Sequence, residues 1–156
     1  LKASDIPVNF DGEKCVNQPV TFADREFNMT CVSMGNPHTV MFIDEHPTDF
    51  DLNKYGKTAE QNTELFPDRV NAEFAKVIDR ENIEMRVYER GTGETLACGT
   101  GACATAVSAI LNGYCNNKVT VHLLGGDLLI EWSGNENDSV IMTGPAEYAF
   151  TGTVEI

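Results

Sequence analysis

One stretch of this chain gathers residue types that could move a proton: Glu89-Arg90-Gly91-Thr92-Gly93-Glu94-Thr95-Leu96-Ala97-Cys98-Gly99-Thr100-Gly101-Ala102. A thiol stands where a glycine-rich loop gives way to small residues suited to a helix. The first turn of a helix has unpaired N–H groups and a partial positive charge. Both favour an anion, so the placement predicts a lowered pKa and a larger thiolate fraction for Cys98. Gly99 and Gly101 carry no side chain to block a ligand, so a carboxylate can reach the N–H groups of Gly99 and Thr100. A thiolate base beside an anion cradle suits removal of a proton from a carbon next to a carboxylate, with the cradle holding the charge that develops. Two other uses stay open at this point. One is a nucleophilic cysteine, which needs a nearby histidine as base; the other is a buried cysteine that only packs.

The elements that must position this stretch are mostly strands. Alternating apolar and polar residues predict strands at 28–33, 39–43, 70–77 and 83–89, the first two separated by Gly35-Asn36-Pro37. In the fourth, Ile83, Met85 and Val87 share one face and Glu84, Arg86 and Tyr88 the other. Asp44 to Tyr55 is polar and expected to be loop; Thr58 to Leu65 could hold a short helix that Pro67 stops. Cys98 to Asn112 is the one convincing helix, with Gly113 placed to end it. It is apolar on nearly every side, which predicts burial. Two further strands, 118–124 and 128–132, flank Gly125-Gly126-Asp127, and others follow at 139–143 and 146–156. Many strands around one buried helix give an α+β domain, with a curved, mostly antiparallel sheet or barrel wrapped around that helix.

Bulk properties exclude several function classes. The chain has 156 residues, one domain's worth, with 24 acidic against 11 basic residues and a net charge of -13. Such a surface repels phosphate backbones, so no nucleic-acid partner is expected. No apolar run reaches the roughly 18 residues of a membrane helix, and no membrane role is expected. Leu1-Lys2-Ala3-Ser4-Asp5 is neither a signal peptide nor a start with Met, which suggests a piece of a longer protein. The five cysteines (Cys15, Cys31, Cys98, Cys103 and Cys115) are odd in number and form no C-x-x-C pair. That fits neither a disulfide framework nor a zinc site, and free thiols in a reducing cytoplasm are the simplest account.

Several segments together resemble the diaminopimelate epimerases. Glu89-Arg90-Gly91-x-Gly93-Glu94-Thr95 running into Ala97-Cys98-Gly99-Thr100-Gly101-Ala102 is similar to that family's second active-site motif. Ser33-Met34-Gly35-Asn36-Pro37-His38 resembles its Gly-Asn-Pro-His loop, and Phe66-Pro67-Asp68-Arg69-Val70-Asn71 its Phe-Pro-x-Arg-x-Asn segment. Gly125-Gly126-Asp127-Leu128 through Trp132, and Thr143-Gly144-Pro145-Ala146, resemble its C-terminal end. Ordered motifs are far more specific than any one alone.

The resemblance implies an enzyme that interconverts LL- and meso-diaminopimelate, toward lysine and cell wall, without metal, pyridoxal phosphate or any other cofactor. Two cysteines act on opposite faces of the α-carbon, one taking a proton as thiolate and the other returning one as thiol. Cys98 matches the second; the first belongs to a Gly-Asn-Gly-x-Arg-Cys-type motif of an N-terminal lobe, absent here. Gly99 and Thr100 match backbone donors to the reacting carboxylate. Asn36, Asn71 and Arg90 match substrate-binding positions, Arg90 with a fork suited to the distal carboxylate. His38 and Glu89 match residues that adjust the catalytic thiols, and Glu89 also suits the substrate's amino group. Residues 1–145 then form the C-terminal lobe, and 146–156 a last strand that in the family returns to the other lobe. The missing lobe is the implied partner, the intact enzyme is implied to be a cytoplasmic homodimer, and this chain alone is implied to be inactive. Plainer readings exist: Asn36 as a turn former, Asn71 as a bridge between strands, His38 as a structural histidine, Glu89 and Arg90 as a surface ion pair. Cys103, His46 and His122 are assigned no chemistry. Competing functions are a proline or hydroxyproline racemase of the same fold and a non-catalytic binding or assembly module.

Overall fold

The computed structural model describes residues 1–154. Its strands are β1 Gln18–Phe22, β2 Arg25–Ser33, β3 Pro37–Phe42, β4 Asn71–Val77, β5 Asn82–Glu89, β6 Gly93–Thr95, β7 Lys118–Leu123, β8 Gly126–Glu131 and β9 Ile141–Thr143. Two helices, α1 Leu52–Glu60 and α2 Gly99–Leu111, join them. All nine strands belong to one sheet in the order β1-β2-β3-β4-β5-β7-β8-β9, with β6 paired to β5. Neighbours are antiparallel except β3–β4 and β5–β7. A parallel pair needs a crossover: α1 lies in the first and α2 in the second.

The helices take opposite faces of the sheet. α2 packs against β2, β3, β4, β5, β7 and β8, so the sheet curves around it. Among the described residues the sheet does not close: β1 and β9 are its edges. The fold is therefore the expected α+β arrangement, with an open curved sheet rather than a barrel. No helix among the described residues is long and apolar enough to cross a membrane.

β4 is buried on both sides, and strand alternation splits it cleanly. Ala72 and Phe74 join the cluster under α1, where Phe74 lies 4.5 Å from the Phe50 ring and 5.6 Å from Phe27. Asn71, Glu73 and Ala75 turn toward α2. There Ala102, Ala106 and Ala109 meet Ile83, Met85 and Val87 of β5, the face expected to be apolar. Alanine on a helix lets strands approach closely, so a short helix fits inside a wrapped sheet.

Several elements differ from their sequence expectation. The helix expected at 58–65 starts at Leu52, because Asp51 caps it by accepting from the Lys54 N–H at 3.1 Å. Its Gly56 is a contact requirement: a Cβ there would lie 2.6 Å from Cβ of Tyr88. The β1–β2 hairpin turns at Ala23, which holds a positive φ without the usual glycine. The turn between β7 and β8 is Leu124-Gly125, so Gly126 and Asp127 lie in the strand. No strand includes residues 146–154, where no neighbour pairs with the backbone and Tyr148 and Phe150 are exposed; Glu155 and Ile156, the end of that expected strand, lie outside the described residues.

Candidate active site

Cys98 is the N-cap of α2, with extended backbone before the first helical residue. Its sulfur is half-buried, accepts from the Gly101 N–H at 3.3 Å and lies 3.6 Å from Oγ1 of Thr100. Leu96 and Ala97, just before it, are exposed, so the thiol is not sealed in the interior. Gly99 and Thr100 occupy the first two helical positions, where no intrahelical acceptor exists for their N–H groups. Gly99 is tight: a Cβ there would lie 3.3 Å from Sδ of Met142 on β9.

The charge state of the thiol corrects the sequence expectation. Burial pushes the Cys98 thiol above its ordinary value, and the nearby Glu73 and Glu89 carboxylates push the same way. The Thr100 hydroxyl and the Gly101 N–H pull it down but do not outweigh them. The helix terminus does what was expected of it, yet lost water contact wins.

The sheet presents the other sequence-derived residues around this helix opening. His38 on β3 is completely buried, with Nδ1 2.7 Å from Oε1 of Glu73 and Nε2 3.0 Å from Oδ1 of Asn36. Asn36, in the turn before β3, donates from Nδ2 to Oγ1 of Thr100 at 3.4 Å. Its side chain thus spans from β3 to α2 and does more than close a local turn. Glu89, at the end of β5, is half-buried and accepts from the Thr95 hydroxyl.

Asn71 and Arg90 are occupied differently. Asn71 donates to the Pro37 carbonyl at 2.9 Å and accepts from the Arg90 N–H at 2.9 Å, the bridging role of the plainer reading. It ties the β3 entry to the loop that follows β5. Arg90 is exposed, and its guanidinium donates to the Asp68 carbonyl at 3.0 Å. Cys103, on α2, packs against the core between helix and sheet, while His46 pairs with Glu84 and His122 with Asp127, both apart from this cluster.

Two buried carboxylates escaped the sequence reading. Glu60, at the end of α1, accepts from the Gly91 N–H at 2.9 Å and pairs with Arg69, pinning the loop after Arg90. Glu73 is the partner of His38. Its signal was present: a lone acid inside the apolar run Ala72-Glu73-Phe74-Ala75, two residues after Asn71 and so on the same face.

The assembled face holds a thiol, two open helix N–H groups, an imidazole and two carboxylates. It can bind an anion at the helix start and exchange a proton at sulfur.

Comparison with known proteins narrows that chemistry. The family model for diaminopimelate epimerase matches residues 30–149. The diaminopimelate epimerase of Acetivibrio thermocellus is 54% identical over 156 residues, covering 100% of this chain and 55% of that protein. Those of Methanococcus maripaludis and Agathobacter rectalis are each 48% identical, again over 100% of this chain and over 55% and 56% of their own lengths. The chain spans about half the length of the curated relatives it matches. Among solved structures, a phenazine biosynthesis protein of the PhzF family from Bacillus anthracis is similar over 74% of this chain and 38% of its own, at 18% identity and a TM-score of 0.48. The family model and the relatives cover every segment that frames Cys98, and by them this chain belongs to the diaminopimelate epimerase family.

Proposed function

We propose that this chain is the C-terminal lobe of a diaminopimelate epimerase and supplies one of its two proton-transfer thiols, Cys98. The observation that carries the reading is the position of that sulfur. It caps a helix whose first N–H groups are open, on the face that also presents Asn36, His38 and Glu89.

The substrate's α-carboxylate sits against the N–H groups of Gly99 and Thr100, and the α-carbon then lies over the sulfur. Negative charge that spreads onto the carboxylate as the α-proton leaves meets the positive end of α2. In this lobe the raised thiol is protonated at neutral pH, which suits Cys98 to deliver a proton to the α-carbon. A base on the opposite face takes the original proton, and it comes from the other half of the enzyme. For the reverse direction Cys98 must ionise. The Thr100 hydroxyl and the Gly101 N–H already face its sulfur to receive that charge.

Arg90 and Asn71 bind the far end of the substrate. Arg90 exchanges its contact with the Asp68 carbonyl for the distal carboxylate. Glu89 receives the amino group or tunes the thiol across the site. One sulfur cannot serve both faces of one carbon, so this chain alone is inactive, and residues 146–154 pair with the other lobe.

The test uses the full-length protein in deuterated water. It is expected to epimerise diaminopimelate and exchange its α-hydrogen, and Cys98→Ala is expected to abolish epimerisation. Normal epimerisation by that variant overturns the proposal. Mixing this chain with a separately expressed N-terminal half is expected to restore activity that neither has alone.

A further inference from the structure

Glu73 lies completely buried in the middle of β4, and its one ion-pair partner among the described residues is His38. One carboxyl oxygen, Oε1, faces Nδ1 of His38 at 2.7 Å; the other, Oε2, has no hydrogen-bond partner among the described residues. A carboxylate stripped of water with one oxygen unpaired is unfavourable. The pair therefore keeps one proton between Oε1 and Nδ1. It sits either on the acid, against a neutral imidazole, or on the imidazole, against a carboxylate. The first arrangement leaves a hydrogen on Nε2; the second does so only when the imidazole is a cation, since a neutral imidazole bearing its hydrogen on Nδ1 has a bare Nε2. Nε2 lies 3.0 Å from Oδ1 of Asn36, an acceptor, and this contact selects the forms with a hydrogen on Nε2. With its oxygen engaged, Asn36 presents Nδ2 to Thr100, whose hydroxyl lies against the Cys98 sulfur.

We infer that Glu73 is a positioning residue: sharing one proton with His38, it fixes His38 as an Nε2–H donor and so aims the Asn36 amide at the opening of α2. The role this gives Glu73 in catalysis rests on Cys98 being the proton-transfer thiol; the shared proton itself does not.

The surroundings fit. Gly101 makes room for the acid, since a Cβ there would lie 3.0 Å from Oε1 of Glu73. The other titratable groups facing the pair are Glu89 on β5, Cys98 before α2 and, from the far side of β2, Cys31. None is a cation. Burial raises the Glu73 carboxyl to about 7, His38 opposes that rise and Glu89 adds to it.

Long-range proton–nitrogen correlation spectra of this chain, labelled with nitrogen-15, test the proposal directly. Nε2 of His38 is expected to carry its hydrogen across neutral pH, and the Glu73 carboxyl carbon to titrate near pH 7. A bare Nε2, with the hydrogen on Nδ1, overturns the proposal. In Glu73→Gln the carboxyl titration is lost while the amide still donates to Nδ1, so Nε2 keeps its hydrogen. In Glu73→Leu the Nδ1–H form is expected to appear; a fully retained Nε2–H form there overturns the proposal. If the leucine variant does not fold, the wild-type and glutamine spectra decide. In the full-length enzyme Glu73→Gln is expected to remove an ionisation near neutral pH from kcat/KM, and Glu73→Leu to lower kcat with KM little changed; an unaltered pH profile in the glutamine variant overturns the catalytic part. If diaminopimelate is not turned over while Nε2 is protonated, the functional reading falls and the shared proton stands. If it is turned over while Nε2 is bare, only this proposal falls.

Discussion

Phe74 and Glu73 are neighbours on β4, equally buried, and they face opposite sides of the sheet. The Phe74 side is an aromatic cluster in which Phe27, Phe50 and Tyr55 stack and meet edge-on, with the Arg25 guanidinium over the Phe27 and Phe50 rings. The Glu73 side is a narrow space under an alanine-rich helix, with an acid, an imidazole and an amide held in a line toward a thiol. The aromatic side stabilises the fold by removing apolar area from water. The polar side gives some of that stability back to keep protonatable groups in fixed places. A single strand serves both, because its two faces are chemically independent.

The largest expected effect comes from the aromatic side. Phe74→Ala removes the ring at the centre of that cluster and is expected to destabilise the chain by about 3–5 kcal/mol, equally at acid and neutral pH. Denaturant unfolding at two pH values checks both the size and the flatness; a pH-dependent loss would mean the two faces are coupled.

Glu73→Gln is expected to act in the opposite sense and only over part of the pH range. The folded carboxyl is raised from 4.5 to about 7, so between these values the folded state holds a proton that the unfolded state has released. Stability from this group is therefore full below about 4.5 and lost as pH rises through about 7. A shift of this size corresponds to up to about 3 kcal/mol. Glutamine does not titrate, so the variant is expected to be more stable than the parent at pH 8 and to lack that slope. Melting curves across the window measure it, and a parent slope that survives in the variant sinks the assignment.

Gly101→Ala probes the same side by steric means. The added methyl would meet Oε1 of Glu73 at 3.0 Å and Sγ of Cys98 at 3.2 Å, and is expected to destabilise by about 1–3 kcal/mol while displacing the His38 contact. The smallest effect belongs to Asp51→Ala, back on the aromatic side, where the lost cap of α1 is expected to lower stability by about 1 kcal/mol without altering the His38 spectrum.

How far the sequence disclosed this arrangement differs between the two sides. Ile83, Met85 and Val87 alternate as a half-covered strand must, and the small residues of α2 announce a buried helix; both elements lie where the pattern puts them. The Cys98 placement was legible for the same reason, since a glycine-rich lead into a helix is a local feature. Its ionisation was not, because burial and two acids reach it from β4 and β5, distant in the chain. α1 stayed hidden because Gly56 weakens the helical signal, and that glycine is there for Tyr88, a contact made only after folding. Glu73 was missed for a similar reason: an acid in an apolar run acquires meaning once β3 and β4 lie side by side.

That parallel pairing matches His38 with Asn71 and Val40 with Glu73. Facing sides alternate at every residue, so deleting or inserting a single amino acid within 37–42 or 71–77 would rotate the histidine or the acid into the phenyl rings. Length changes can be absorbed in the α1 crossover between these segments but not inside them. Gaps in an alignment of related chains should therefore fall outside both segments.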